Sequence, residues 1–449
     1  MWDHAESTGQ RVCTISWGRF ASTLAVMTSI PAARQKRPEP NREPLISHER
    51  KVEWGRGAAG GSQGGAAREN GSGSPDLARP EDSQGCPRPD GVLPGSILFV
   101  SWRDLPNPMA GGSELLVDEL ARGLSQRGID VSLLCGGRIE ERVLYRTVRS
   151  GGTYSQYLRV PIKYLRSFRS TDLVVEVCNG MPFLAPLWRR GPTLCLVNHV
   201  HTELWRGRFD PVVAAFGRVM ESRVMPRVHR HNLIVTVSPS TTASLGDLGV
   251  EHERIRQIPE GVAEPPRLHA KAQDPVFVAV GRMVGYKRID LLLRVWKSVR
   301  PIVGGRVVIV GEGPERASLT SMGVEGVEFT GYVSEAEKHR LLCEAWVLLH
   351  PASWEGWGLV ITEAGIRGTP AVGFDVPGVR DAIRPGETGL IATTEEEFAA
   401  QWILLAQTPA LRSALGESAR KWALSTPWSA TVDAFTEVAS EAMARHRRA

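Results

Sequence analysis

Short apolar runs alternate with segments of helical period from Ser96 to the C-terminus, and this alternation constrains the fold more than any other feature. "SILFVSW" (96–102) reads as a buried strand. "ELLVDELARGLSQRG" follows, with apolar residues at Leu115, Leu116, Leu120 and Leu124, a helical spacing. "IDVSLLCGG" is the next buried run. Strand, helix and strand in this order make a βαβ unit, whose strands lie parallel. "DLVVEVCNG", "PTLCLVNHVH" and "NLIVTVS" continue the pattern, and "IRQIPEGV" closes it. "AEPPRLHAKAQDP" has no period and carries two adjacent prolines, as a linker does. A second series starts at "VFVAVGR" and runs through "RVVIVGEGP", "VEFTGYV", "VLLHPAS", "TPAVGFDVPG" and "TGLIA". The expected fold class is α/β, with two tandem Rossmann-like doubly wound domains and a cleft between them. The expected boundaries are residues 96–262 for the first domain, 263–275 for the linker and 276–426 for the second domain, with a helical tail over 427–449.

Residues 1–95 contrast with this. "GRGAAGGSQGGAARENGSGSPD" and its surroundings are dense in Gly, Pro, Ser and charge, so they bury too little apolar surface to offset ordering entropy. They are expected to be a disordered extension. A start codon read upstream of the native one would also give such a segment, and intact mass from native cells would distinguish the two. The most apolar stretch there, "TISWGRFASTLAVMTSIPAA", is broken by Arg19 and falls short of the roughly 18–20 apolar residues a spanning helix needs. It also makes a poor signal peptide, because acidic residues precede a weak apolar core. The six cysteines include no CxxC pair, which argues against a zinc ribbon or a disulfide scaffold and for a reducing, cytoplasmic setting. The net charge of +5 is mild and is not gathered into a block, so no nucleic-acid partner is expected.

The strand-to-helix loops carry the chemistry. "AVGRMVGYKRID" places Arg282 and Lys287 at a strand end just before a helix, an arrangement suited to a diphosphate or to a solvated basic turn. "SWEGWGLVITEAG" places Glu355 in a loop and Glu363 about one turn into the helix that starts near Leu359. Gly358 and Gly356 let backbone approach a ligand. A glycosidase pair needs carboxylates roughly 5–9.5 Å apart across one bond. Eight residues at 1.5 Å rise span up to about 12 Å, which suits two grips on one ligand better. Helix-start acids remain the plain structural alternative. In the first domain, Gly111 and Gly112 of "NPMAGGSE" resemble a backbone nest for a charged or polyol ligand. His199 and His201 are expected on one face of a strand near its carboxyl end, with no third ligand at metal-motif spacing. No DxD follows residue 96, so no carboxylate pair for a nucleotide-bound divalent metal is visible and no metal or other cofactor is expected.

Taken as a set, "GRMVGYKRID", "VIVGEGPER", "FTGYVS", "HPASWEGWGLVITEAGIRGTPAVGFDVPGVRD" and "GETGLI" resemble the group 1 (family 4) retaining glycosyltransferases of the GT-B fold, whose hallmark is E-x7-E. The first domain matches more loosely, through "GGSE" and the histidine-bearing segment. The resemblance implies that Glu363 holds the ribose hydroxyls of a nucleotide-sugar and Glu355 the donor sugar. Arg282 and Lys287 would neutralise the diphosphate, supported by amides around Gly358 and Leu359. The loop at Tyr332 and Val333 would border the base. Gly112, with Gly111 beside it, would approach the donor or acceptor from the first domain. His201 matches the family's first-domain histidine, with His199 as the alternative. Two departures stand out: Trp357 where Phe is usual, and Glu260 where Asn is common.

The implied activity is transfer of a sugar, with retention and without metal, to a hydroxyl of a glycan, lipid or small molecule in glycan or cell-envelope biosynthesis. The rival readings are another GT-B enzyme such as an epimerase, and a non-catalytic nucleotide-sugar-binding protein. "RVPIKYLRSFRS" and "RVMESRVMPRVHRH" are basic and partly amphipathic, so contact with an anionic membrane surface at its inner face is a further expectation.

Overall fold

The computed structural model of the chain describes residues 93–448 apart from 108, 138–143, 153, 203–204, 206–209 and 266. Residues 1–92 of the N-terminal extension, and the expectations placed on them, lie outside the described residues. The described residues form two wholly parallel sheets. The first has the order β3-β2-β1-β4-β5-β6-β7. Its strands are β1 (Ser96–Val100), β2 (Asp130–Cys135), β3 (Arg146–Arg149), β4 (Leu173–Val177), β5 (Thr193–Val197), β6 (Leu233–Thr236) and β7 (Ile255–Gln257). The second has the order β10-β9-β8-β11-β12-β13. It comprises β8 (Val276–Val280), β9 (Arg306–Val310), β10 (Val327–Gly331), β11 (Val347–His350), β12 (Ala371–Phe374) and β13 (Gly389–Ala392). Covered on both faces, the central strands are near-continuous runs of Val, Ile and Leu.

The helices that matter for the site are α1 (Gly112–Gln126), α2 (Gln156–Ser167), α3 (Ile289–Val303), α4 (Glu335–Glu344) and α5 (Leu359–Gly365). The chain then ends with α6 (Glu395–Gln407), α7 (Pro409–Leu424) and α8 (Trp428–Arg448). Ser334 caps α4 as its sequence suggests, its side chain accepting the Glu337 amide at 3.1 Å. In each sheet the strand order reverses once, between β1 and β4 and between β8 and β11. The crevices beyond the carboxyl ends of these strands are where such sheets bind ligands.

The tail does not stay with the second sheet. Val432, Phe435, Val438, Ala439 and Ala442 of α8 join the core formed by β1, α1 and β2 in the first domain. Phe435 stacks on Phe99, with ring centroids 5.9 Å apart. The chain therefore crosses between domains twice. The two crossings run side by side, the Val262 amide donating to the Thr426 carbonyl at 3.0 Å.

Candidate active site

The loop after β8 turns through Gly285–Lys287 in a single 3-10 turn and enters α3 at Arg288, whose φ of 51° is left-handed. A non-glycine residue holds that conformation only where its surroundings enforce it. Here Arg288 reaches Glu395 at 3.2 Å and lies over the Phe374 ring at 4.7 Å. This anchor delivers Lys287 into the cleft, where it pairs with Glu355. His350, the last residue of β11, sits 3.2 Å from the same Glu355 oxygen. Burial alone would raise the Glu355 pKa, but the Lys287 ammonium and the His350 ring outweigh it and hold the carboxyl well below the usual carboxylate range. Burial pushes the His350 pKa down, so this ring is neutral at pH 7. The Ser353 amide donates to the Tyr286 carbonyl at 2.8 Å, which ties the basic and acidic loops together.

The acidic loop is pressed against the first domain. Trp357 is buried among first-domain core residues, and Leu359 packs on the same cluster. A Cβ on Gly356 would lie 3.0 Å from the Asn198 carbonyl oxygen and 3.3 Å from His199 Nδ1, so only glycine allows this approach without adjustment. Gly358 precedes α5 with φ of 89°, a conformation glycine adopts without cost. A Cβ on Gly112 would come within 3.2 Å of Leu359, so the start of α1 faces the start of α5 across the cleft.

The two histidines differ from expectation in one respect. β5 ends at Val197, and both lie in the loop beyond it rather than on the strand. That loop still brings them together. Their Nε2 atoms are 2.6 Å apart, so one ring donates to the other. The His201 amide donates to Glu221 at 2.6 Å, which fixes the loop. Trp354, next to Glu355, meets the His199 ring edge-on with centroids 3.7 Å apart. Arg282 reaches across the cleft, donating to the Met109 carbonyl at 3.3 Å and to the Tyr286 hydroxyl at 2.9 Å. Arg282, Lys287, Glu355, His199, His201, Gly112 and Leu359 thus gather where loops of the two domains meet.

Gly111 departs from the nest expected of it. Its backbone is extended, and its amide donates to Glu114 at 2.7 Å rather than being open to a ligand. Glu114 is buried and also takes Arg103 at 2.8 Å. Glu363, one turn into α5, pairs with Lys338 of α4 at 3.0 Å. Burial would lower the Lys338 pKa, but Glu363 and Glu335 outweigh it and raise it. Val333 lies between β10 and α4, half-buried against the apolar core of the second domain. Sequence reasoning missed His350, Trp354, Tyr286 and Lys338 as site residues. His350 was the most accessible of these, standing at a strand's carboxyl end five residues before Glu355. Among the described residues no three His, Cys, Asp or Glu side chains converge in a way that would hold a metal ion.

Two family models fall consecutively on the chain. Residues 110–264 match the model described as Glycosyltransferase Family 4, and residues 263–422 match Glycosyl transferases group 1. The chain belongs to the group 1 glycosyltransferases. D-inositol 3-phosphate glycosyltransferase of Acidothermus cellulolyticus is 27% identical over 76% of this chain and 88% of its own length. The Streptomyces scabiei protein of the same name is 30% identical over 44% of this chain, and the match spans about half, 49%, of that relative's length. Among solved structures, sucrose-phosphate synthase from Thermosynechococcus elongatus superposes with a TM-score of 0.65 at 20% identity, covering 78% of this chain and 99% of that one. HepE of Anabaena, solved in complex with UDP and glucose, gives a TM-score of 0.64 at 17% identity, covering 77% and 99%. These likenesses establish the two-domain GT-B fold.

Proposed function

We propose that the protein transfers a sugar from a nucleotide-diphosphate sugar to an acceptor hydroxyl, with retention and without a metal. One observation carries this reading: the Lys287–Glu355–His350 cluster of the second domain meets the histidine loop of the first domain in one cleft. The E-x7-E element then acts as a ruler. Glu355, anionic across the physiological range, receives donor-sugar hydroxyls, and Glu363 receives the ribose. Arg282 and Lys287 face the diphosphate between them. HepE was solved with UDP and glucose, which supports a uridine nucleotide among the candidates.

In the reaction the anomeric C–O bond to the β-phosphate breaks as the acceptor oxygen attacks from the same face. The departing phosphate takes the acceptor's proton, and the nucleoside diphosphate leaves. The chain's residues supply orientation and charge. Lys287 and Arg282 stabilise negative charge growing on the leaving group, and the closed cleft keeps out competing water. A thermal-shift panel of UDP-, GDP-, ADP- and TDP-sugars without metal tests this. One nucleotide class raises the melting temperature, and Glu363→Ala weakens that rise. Equal shifts in wild type and variant, or none, would count against the site.

The acceptor side carries a second feature. On α2, Leu158, Arg159, Ile162, Leu165 and Arg166 are exposed along one face, and Arg169 follows just beyond the helix. No acidic residue occurs from 156 to 171. Such a face suits an anionic lipid surface, as a lipid-linked acceptor would require. No helix among the described residues is long and apolar enough to cross a membrane. Sedimentation with phosphatidylglycerol vesicles, weakened by salt and by Ile162→Glu, is the expected result. Absence of binding at low salt would remove membrane contact from the account.

A further inference from the structure

We propose that Glu260 is a donor-binding residue that meets the diphosphate as a carboxylic acid, donating a hydrogen bond to a non-bridging phosphate oxygen, so that donor binding requires a bound proton. The proposal rests on the donor-site reading above and adds to it a residue that belongs to neither glutamate of the ruler.

Glu260 lies just beyond β7, in the segment that leads out of the first domain, and is only 4% exposed. Its carboxyl makes no hydrogen bond or ion pair with any described residue. A side chain so enclosed and without a hydrogen-bond partner among the described residues is uncommon. Its direction is defined. Oε2 lies 3.8 Å from where a Cβ on Gly112 would sit, and Leu359 is the other neighbour of that point. Glu260 therefore points at the gap between the start of α1 and the start of α5, the gap the proposed donor diphosphate enters.

The groups around it decide its ionisation. From the acidic loop comes Glu355, already an anion held by Lys287 and His350. From α1 come Gly112 and Glu114, and Glu114 already occupies the helix start by accepting the Gly111 amide and pairing with Arg103. From α8 comes Thr431, whose hydroxyl donates to the Pro259 carbonyl at 3.0 Å. None of these is an unengaged cation. Burial, and then the Glu355 charge, push the Glu260 carboxyl up to about 8. A diphosphate in the same gap adds further negative charge, which ionised Glu260 would repel. Protonated Glu260 instead offers a phosphate oxygen an O–H donor on the first-domain side.

The sign follows from linkage. If the bound state holds the proton, apparent affinity tracks the fraction of free protein that is protonated at Glu260. Between pH 7 and pH 9.5 that fraction falls about thirty-fold for a group titrating near 8. No phosphate of a nucleotide-sugar titrates in this range, and the base N–H, which begins to ionise toward pH 9.5, contributes equally to wild type and Glu260→Gln, so the difference between their slopes belongs to Glu260.

The experiment is a calorimetric titration of the full chain with UDP-glucose and with GDP-mannose, at pH 7, 8, 8.5 and 9.5, for wild type, Glu260→Gln and Glu260→Ala. Wild type is expected to bind one of the two, and to weaken about thirty-fold across the range. Glu260→Gln, which keeps a donor without a titrating group, should hold its affinity within about twofold. Glu260→Ala should bind more weakly than wild type at pH 7, with no slope beyond that of Glu260→Gln. Repeating the pH 8 titration in two buffers of different ionisation enthalpy should show proton uptake by wild type and none by Glu260→Gln. Circular dichroism confirms that each variant is folded, and if Glu260→Gln is not, Glu260→Ala, which should take up no proton, takes its place in the comparison. Binding with no pH slope in wild type, or the same slope in Glu260→Gln, would overturn the role of Glu260 while leaving the donor site intact. No binding of either sugar nucleotide at any pH would overturn both.

Discussion

Lys287 and Glu355 are each most of the way out of solvent, and each is where it is because of the other. Two charges removed from water are worth little as a pair compared with a well-packed apolar substitute, yet removing one leaves the other unpaired at a cost of about 3–5 kcal/mol. Lys287→Met should therefore lower the melting temperature as well as activity. The pH sign is definite. Glu355 is held below the ordinary carboxylate value of about 4.5, so the pair's contribution is fully present above that value and fades as pH falls below it. The gap in melting temperature between wild type and Lys287→Met should be wide at pH 7.5 and narrower at pH 4. A constant gap would mean that the pairing does not set the Glu355 ionisation. At this scale the sequence was informative about which residues matter and silent about their partners. Glu355, Lys287 and Arg282 stand out by type and spacing. That Lys338 answers Glu363 depends on α4 lying beside α5, which no local pattern encodes.

Elements were legible where apolar periodicity was strong. The Val- and Ile-rich strands of both sheets announce themselves, as does the Ser334 cap of α4. β3 is not legible in the sequence, because "RTVR" is short, polar and half-exposed at the sheet edge, with nothing to distinguish it from a loop. "LVNHVH" reads as one continuous strand, whereas β5 ends at Val197. What ends it is tertiary: the Asn198 carbonyl turns to accept from Thr241 at 2.9 Å and stands beside Gly356. That contact between a loop of each domain makes Gly356 a useful probe. Gly356→Ala places a methyl group 3.0 Å from the Asn198 oxygen, so the loops must part by a few tenths of an ångström. The expected outcome is a folded protein with a melting temperature within a few degrees of wild type and transfer slowed about ten-fold or more, since small misplacement of positioned groups is costly. Transfer at the wild-type rate would show that this loop contact does not position the reacting groups.

The whole molecule is two parallel sheets whose switch-point crevices face one cleft, and the chain itself sews them together. It leaves the first domain at Val262, builds the second, and returns at Pro427 so that α8 completes the first domain's core. The tandem α/β architecture was readable from the order of strands and helices, but this return was not, because a helix's period says which face is buried and not against what. The return has a consequence for the site. Trp357 and Leu359, which bracket the start of α5, pack on the same core that α8 completes, so the acidic loop is seated on first-domain residues. The central claim is that Glu355 and Glu363 mark the two ends of one nucleotide-sugar in that cleft. Calorimetric titration with UDP and UDP-glucose, and in parallel with GDP and GDP-mannose, separates the ends. Glu363→Ala should weaken a nucleotide and its sugar conjugate by the same factor, at least about ten-fold for a lost pair of charge-assisted hydrogen bonds. Glu355→Ala should leave the bare nucleotide nearly unchanged and weaken the sugar conjugate. Both variants weakening both ligands alike, or neither variant weakening either, would contradict the account.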